Sequence, residues 1–193
     1  MILCFATNNR HKLDEVGPLL SDRFTLRTLA DIGCHEELPE TGTTLDANAL
    51  QKARHVWTHY RTACFADDTG LEVRALGGAP GVYSARYAGP DRDSAANTRK
   101  LLAELAGAPD RAAQFRTVIA FIDGAGREWL FEGAVTGQIT LAPGGTGGFG
   151  YDPVFRPDGY AETFAELPLA VKNRIGHRGR AVAALAAALA ARG

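Results

Sequence analysis

The sequence predicts an α/β protein with a mixed central sheet flanked by helices, and three observations carry that reading. Short continuous apolar runs, Ile2 to Ala6 and Ala63 to Ala66, break off into polar residues at strand length. Stretches with apolar residues at helical spacing alternate with them through the first half of the chain. Further on, Gln114 to Asp123 and Arg127 to Leu141 flank Gly-Ala-Gly at 124–126, the pattern of a hairpin of two long strands. Alternating strands and helices favour parallel pairing and a hairpin imposes antiparallel pairing, so the sheet is expected to be mixed.

Taken in order, the strand Ile2 to Ala6 runs into TNNRHK and then a helix carrying Leu13, Val16, Leu19 and Leu20. Gly17-Pro18 should kink or stop that helix, because proline lacks the N–H and clashes with the preceding turn. Phe24 to Leu29 alternates as a second strand. A long helix follows from Asp46 to Tyr60, with Thr43 or Thr44 placed to cap it. The strand Ala63 to Ala66 leads into a loop, ADDTG, and a glycine-rich stretch, LGGAPGVYSARYAG. Asp93 to Leu105 reads as another helix, and after the hairpin comes the loop APGGTGGFGYDP. The tail from Ala181 to Arg192 has Val182, Leu185 and Leu189 on one stripe of a packed helix. It falls short of the roughly 20 apolar residues that a membrane span requires.

A chain of 193 residues fits one domain, or one domain with a small lobe. Its 46% hydrophobic and 22% charged residues exclude disorder and fibrous repeats. A net charge of -1 provides no global field to attract nucleic acid or an anionic membrane, so an anionic ligand has to be held locally. Cys4, Cys34 and Cys64 are odd in number and form no CxxC pair, which argues against a disulfide framework or a zinc site. The same cysteine pattern makes a reducing cytoplasm the expected location, and the N-terminus, without the basic segment and cleavage site of a secretory leader, reads as a strand.

Four segments can carry chemistry. In TNNRHK, Thr7, Asn8, Asn9 and Lys12 stand where a strand meets a helix N-terminus, whose unpaired N–H groups suit phosphate; alone, the segment also fits an ordinary capped turn. In ADDTG, Asp67 and Asp68 follow an apolar strand and can hold a divalent cation while one of them activates water. Neighbouring side chains of an extended segment face opposite ways, so one of the two is expected to be structural, and an Asx-type turn closing on Gly70 is the alternative. In GGTGGFGYDP, glycines permit close backbone approach, Phe149 or Tyr151 can stack on a base, and Asp152 can accept from a purine N–H. In VKNRIGHRGR, Lys172, His177 and Arg178 can donate to phosphate or a base carbonyl, or simply form a solvated basic helix start. His55 and His59 are four apart, but HVWTH lacks the glutamate of a zinc protease motif, so both read as surface residues.

TNNRHK, LPETG, ADDTG, LGGAPGVYSARYAG, GGTGGFGYDP and GHRG occur in the order and spacing of one family. Over nearly its whole length the chain resembles the inosine triphosphate pyrophosphatases, or XTP/dITP diphosphatases. The resemblance implies a single ITPase-like catalytic domain over residues 1–193, with two lobes and a nucleotide cleft between them. It also implies a homodimer and Mg²⁺-dependent cleavage of the inosine, deoxyinosine and xanthosine triphosphates ITP, dITP and XTP to the monophosphate and pyrophosphate, which keeps these nucleotides out of DNA and RNA. No nucleic-acid or membrane partner is expected.

Carried over residue by residue, Thr7, Asn8, Asn9 and Lys12 match the triphosphate-binding segment, and Lys52 a further phosphate-facing lysine. Glu40 and Asp68 match the Mg²⁺-associated acids, Asp68 also the proposed proton acceptor, and Thr69 a substrate contact. Phe149, Gly150, Tyr151 and Asp152 match the FGYD segment, Lys172 the downstream lysine, and His177 with Arg178 the pair that reads the purine. The chain departs from the family pattern at Ala47, where many relatives carry Glu, and at Gly176, where Ser often stands. A Maf-type pyrophosphatase is the nearest rival among enzymes and lacks FGYD and His-Arg. A nucleotide sensor without catalysis would not need Glu40, Asp67, Asp68 and Lys12 together.

Overall fold

The computed structural model describes residues 2–20 and 24–191. Its elements run β1 (Ile2–Phe5), α1 (Arg10–Leu20), β2 (Thr25–Arg27), α2 (Leu45–Tyr60), β3 (Cys64–Val73), β4 (Pro80–Gly81), α3 (Ser94–Glu104), β5 (Ala112–Ile122), β6 (Glu128–Ile139), β7 (Phe155–Pro157), α4 (Leu169–Ile175) and α5 (His177–Ala190). Among the described residues the strands form one seven-stranded sheet in the order β2-β1-β3-β5-β6-β7, with β4 paired to β3. β1 lies parallel to β2 and β3, whereas β4 is antiparallel to β3 and β7 to β6, so the sheet is mixed as the sequence predicts.

The helix boundaries follow from local chemistry. Thr44, rather than Thr43, caps α2: its side chain accepts from the Ala47 N–H at 3.1 Å. Asp93 caps α3 by accepting from the N–H groups of Ala95 and Ala96. α1 runs through Gly17-Pro18 to Leu20 instead of stopping there. Pro18 falls in the last turn, where few intrahelical bonds remain to be lost, and burial of Val16 and Leu20 holds the turn on the core.

The largest departure from expectation is β3. Ala63 to Ala66 reads as a strand followed by a loop, yet the strand continues through ADDTG to Val73. Its first half pairs with β1, Cys4 opposite Cys64 and Phe5 opposite Phe65, and its second half pairs with β4 at Leu71 and Glu72. Gly70 therefore closes no turn; a Cβ there would sit 2.6 Å from the Gly81 carbonyl oxygen, so glycine permits the β3–β4 approach.

The chain separates into two compact units. Unit 1 comprises residues 1–68, 117–133 and 178–193, and unit 2 comprises residues 69–116 and 134–177. The core of unit 1 joins β1, β3, β5 and one face each of α1 and α5 through Leu3, Phe5, Val16, Phe65, Ile119, Val182 and Leu185. Phe5 and Phe65 stack with ring centroids 4.4 Å apart. Val182, Leu185 and Leu189 face this core as their spacing requires, while Arg192, where the expected helix ends, lies outside the described residues. The three cysteines are free and buried in unit 1. Among the described residues no helix is long and apolar enough to cross a membrane.

Unit 2 is organised around Phe115, Phe155 and Phe164, with Leu71, Leu101, Leu105 and Val154 packed among them. Phe155 is fully buried, 4.8 Å from Phe115 and 5.1 Å from Phe164 between ring centroids. Phe155→Ala should remove about 3 to 5 kcal/mol of stability. Urea unfolding is expected to show a lower midpoint for this variant than for the parent.

Candidate active site

The acidic pair of β3 organises the polar interior of unit 1. Because β3 is extended, Asp67 and Asp68 point to opposite faces, and each gathers its own basic partners. Asp67, 1% exposed, accepts from Lys12 Nζ at 2.9 Å through Oδ1 and from Arg178 Nε at 3.0 Å through Oδ2. Arg178 Nη1 also donates to Glu15, a buried acid of α1. On the other face, Lys52 Nζ donates to Asp68 Oδ1 at 3.0 Å and to Glu40 Oε1 at 2.6 Å. Asn48 Nδ2 donates to Asp68 Oδ2 at 3.2 Å, and Asn48 Oδ1 accepts from the Gly42 N–H at 2.7 Å.

The local sequence explains each placement. Thr7 Oγ1 accepts from the Asn9 N–H, and the Asn9 carbonyl accepts from Lys12 and Leu13 N–H, so this segment starts α1 and aims Lys12 at β3. Asn8 and Asn9 are exposed beside it. Asn48 and Lys52 lie one helical turn apart on the buried side of α2. The loop bearing Glu40 is tied to α2 at several points. Glu36 accepts from Tyr60 and faces His55 Nε2 at 3.0 Å, and the Thr41 N–H donates to Gln51. His55 is thus half-buried and paired, where the sequence suggests a surface residue, while His59 is exposed.

Electrostatics distinguish the two acids. Burial alone would raise the Asp67 carboxyl, but Lys12, Arg178 and Lys52 together hold it well below the usual carboxylate range. For Asp68 burial is the largest influence and raises the carboxyl above its ordinary value, against the opposing pull of Lys52 and Lys12. Burial disfavours the Lys52 ammonium, yet Asp68, Glu40 and Asp67 raise it above its normal value, so it stays charged. The Lys12 ammonium is lowered, by burial first and by Lys52 and Arg178 in addition. Glu40 and Asp68 offer hard oxygen donors bridged by one lysine, a set that fits a magnesium ion, which binds through one or two carboxylates together with water and substrate phosphates. Among the described residues no group of three or more His, Cys, Asp or Glu is placed to hold a metal without such help.

In unit 2 the loop at 144–153 is built around Asp152. Asp152 Oδ2 accepts from the Phe149 N–H at 2.7 Å and from Lys172 Nζ at 2.5 Å, and the residue is 2% exposed. A Cβ at Gly148 would collide with this carboxylate, so glycine is needed there, at a φ of 69°. Lys172 sits 5.0 Å from the centroid of the half-buried Phe149 ring. Gly150 also takes a positive φ, and its carbonyl faces Thr98 Oγ1 at 3.5 Å. Thr69 is half-buried on β3.

Two sequence readings change here. Tyr151 is not a stacking aromatic; its ring belongs to the core and its hydroxyl donates to the Ser84 carbonyl at 2.8 Å, because the turn at 152–154 swings the side chain inward. Lys172, His177 and Arg178 do not form one solvated basic segment; all three are buried, and a short helix, α4, carries Lys172. His177 stacks on Phe115 with centroids 4.7 Å apart in unit 2, while the guanidinium of Arg178 belongs to the charge chain of unit 1. Sequence reasoning assigned no role to Glu15 or to Asn48. The available signal for Glu15 is an acid one turn beyond Lys12 on the inward side of α1.

A depressed carboxyl contributes stability that is present above its unfolded value, near 3.9, and lost as the pH falls through the folded one. Asp67→Asn should therefore lower the urea midpoint markedly at pH 7, where Lys12 and Arg178 lose their buried counter-charge. The midpoints of parent and variant are expected to stay apart from pH 7 down to about 4, and to converge only as the pH falls below about 4 toward the depressed folded value of Asp67.

A model of the Ham1 family matches residues 3–188. The chain is 53% identical over 184 residues to the dITP/XTP pyrophosphatase of Porphyromonas gingivalis, covering 95% of this chain and 94% of that protein. It is 50% identical over 182 residues to the dITP/XTP pyrophosphatase of Flavobacterium johnsoniae, covering 94% of each. The solved structure of the Staphylococcus aureus Ham1 protein superposes with a TM-score of 0.91 at 35% identity, covering 100% of both chains. A match of this extent in sequence and in fold shows that the chain belongs to the Ham1 family.

Proposed function

We propose that this protein hydrolyses non-standard purine nucleoside triphosphates, ITP, dITP and XTP, at the α-phosphorus, giving the monophosphate and pyrophosphate and keeping these nucleotides out of DNA and RNA. The observation that carries the reading is the pairing of Lys12 and Lys52 with the adjacent acids of β3, beside the N-terminus of α1. That combination supplies fixed positive charge for a triphosphate, carboxylates for a cation, and a buried carboxylate to accept a proton. The family membership and the names of the relatives support the same substrate class.

In this reading Thr7, Asn8, Asn9 and Lys12 bind the β- and γ-phosphates, aided by the positive end of α1. Glu40 and Asp68 would hold Mg²⁺, which when bound would neutralise phosphate charge and lower the pKa of coordinated water. Lys52 keeps the two acids together and faces the phosphates. Asp68 accepts the proton of the attacking water at a carboxylate oxygen. Thr69 contacts the substrate beside it. Phe149 stacks on the purine, with the backbone of Gly150 and Tyr151 alongside.

Asp152 clamps the loop and orients Lys172 next to the stacking ring, and His177 stacks on Phe115. Arg178 donates to O6 of hypoxanthine or xanthine; adenine presents an amino donor there and leaves both donors unpaired. The protein acts as a cytoplasmic homodimer, without nucleic-acid or membrane partners.

Four measurements test this. With Mg²⁺ and ITP the product should be pyrophosphate rather than sequential orthophosphate, and excess chelator should abolish its release. Asp68→Asn should lower kcat by on the order of 10² to 10⁴ while the urea midpoint stays close to that of the parent. Arg178→Ala should lower kcat/KM for ITP by roughly ten- to a hundredfold and that for ATP much less. Light scattering should return about twice the chain mass of 20.5 kDa.

A further inference from the structure

The loop that carries Glu40 has no regular secondary structure from residue 37 to residue 42, yet it brings a carboxylate to 2.6 Å from the buried Lys52 ammonium. Its placement follows from α2. Asn48, Gln51, Lys52 and His55 stand at i, i+3, i+4 and i+7, so they share one face of that helix. Each takes a group of the loop. Asn48 Oδ1 accepts from the Gly42 N–H at 2.7 Å, and Lys52 donates to Glu40. Gln51 holds Thr41 twice, its Oε1 accepting from the backbone N–H and its Nε2 donating to Oγ1, both at 2.9 Å. His55 Nε2 lies 3.0 Å from Glu36, which also accepts from Tyr60 at the helix end. The partners Gly42, Thr41, Glu40 and Glu36 run in reverse chain order, so the loop lies antiparallel along the helix. Asn48 and Lys52 also hold Asp68, and one helix face thereby meets both the loop and the acid of β3.

We infer that Gln51 is a positioning residue for the cation site, with Glu36 as a second tie. Together they fix the separation of Glu40 and Asp68 before a nucleotide arrives, and so set the affinity for a divalent ion. The inference rests on the reading that these two acids hold Mg²⁺. That ion demands near-ideal octahedral geometry, so carboxylates at the wrong spacing bind it poorly. Lys52 alone does not set the spacing, because an ammonium on a flexible stem meets its acids from many directions. The paired bonds of Gln51 fix both the backbone and the side chain of the residue next to Glu40, which leaves the loop little room to swing. Gln51 is uncharged, so its replacement by an apolar residue alters the geometry and leaves the formal charge of the site unchanged. A tie that only stabilised the fold would lower the unfolding midpoint and leave the cation affinity alone.

The test compares the full-length parent with Gln51→Leu, Thr41→Ala, Glu36→Gln and Glu40→Gln. Electron paramagnetic resonance reads the binding of Mn²⁺, as a probe for Mg²⁺, to the nucleotide-free protein. The Mg²⁺ concentration for half-maximal ITP hydrolysis is measured separately. Gln51→Leu removes both bonds to Thr41; it should weaken Mn²⁺ binding and raise the Mg²⁺ requirement about five- to tenfold, with kcat at saturating Mg²⁺ within about twofold of the parent. Thr41→Ala, which keeps the backbone N–H, and Glu36→Gln should each give roughly two- to fourfold. Adding Thr41→Ala to Gln51→Leu should change the affinity by less than about twofold more, because both act through one contact. Amide hydrogens of residues 37–42 should exchange faster in Gln51→Leu than in the parent. Circular dichroism checks folding, and Thr41→Ala carries the test if Gln51→Leu does not fold. Unchanged Mn²⁺ and Mg²⁺ affinities in the folded variants at Gln51 and Thr41, where Glu40→Gln weakens both, would overturn the inference, as would a parent that binds no Mn²⁺ without nucleotide. Unchanged affinities in Glu40→Gln would instead overturn the reading that Glu40 holds the ion.

Discussion

Two adjacent carboxylates on a buried strand set the terms for the rest of unit 1. Placing Asp67 and Asp68 inside a protein is costly unless each is paired, and the alternation of side chains along β3 gives each acid its own hydrogen-bonding cations. The fold answers with separate partners on each face, Lys12 and Arg178 for one acid and Lys52 with Asn48 for the other. Those partners come from α1, α5 and α2. The requirement to neutralise two charges therefore fixes where three helices present their polar residues, and the apolar stripes on α1 and α5 then close the core around Phe5 and Phe65.

The same logic appears in unit 2 on a smaller scale. Asp152 has a single carboxylate oxygen that ends the glycine-rich turn at Phe149 and meets the ammonium of Lys172. A loop rich in glycine would otherwise sample many conformations. One buried ion pair replaces that freedom with a defined ring position, since Lys172 also lies over Phe149. The two acids of unit 1 differ in purpose although they are neighbours in sequence. Asp67 is held ionised by three cations, whereas burial makes Asp68 the more basic of the pair.

Most elements were legible because their periodicity and caps are strong. The helix at α2 with Thr44, the helix at α3 with Asp93, and the hairpin of β5 and β6 all follow from residues visible in the sequence. β3 was read too short because two aspartates, a threonine and a glycine signal a turn locally, and only pairing with β1 and β4 holds them extended. α4 was missed because its seven residues are too few to establish a period. Lys12, Lys52, Glu40, Asp68, Asp152 and Lys172 were all singled out as polar residues in motifs, but their pairings are long-range and carry no local signal. Arg178 shows this best: the sequence offers a basic residue near a helix start, and only the fold brings it to Asp67 and Glu15.

The buried cysteines have a practical consequence. Cys4 and Cys64 stand opposite each other on neighbouring strands, and burial pushes both thiols up to about 12, so neither forms the reactive thiolate near neutral pH. Cys34 is raised as well, by burial first. In the native protein a thiol reagent finds little to attack, and modification has to wait for unit 1 to open. Labelling rates therefore report on breathing of that unit without any engineered probe. Added nucleotide would slow them in proportion to how strongly it favours the closed form.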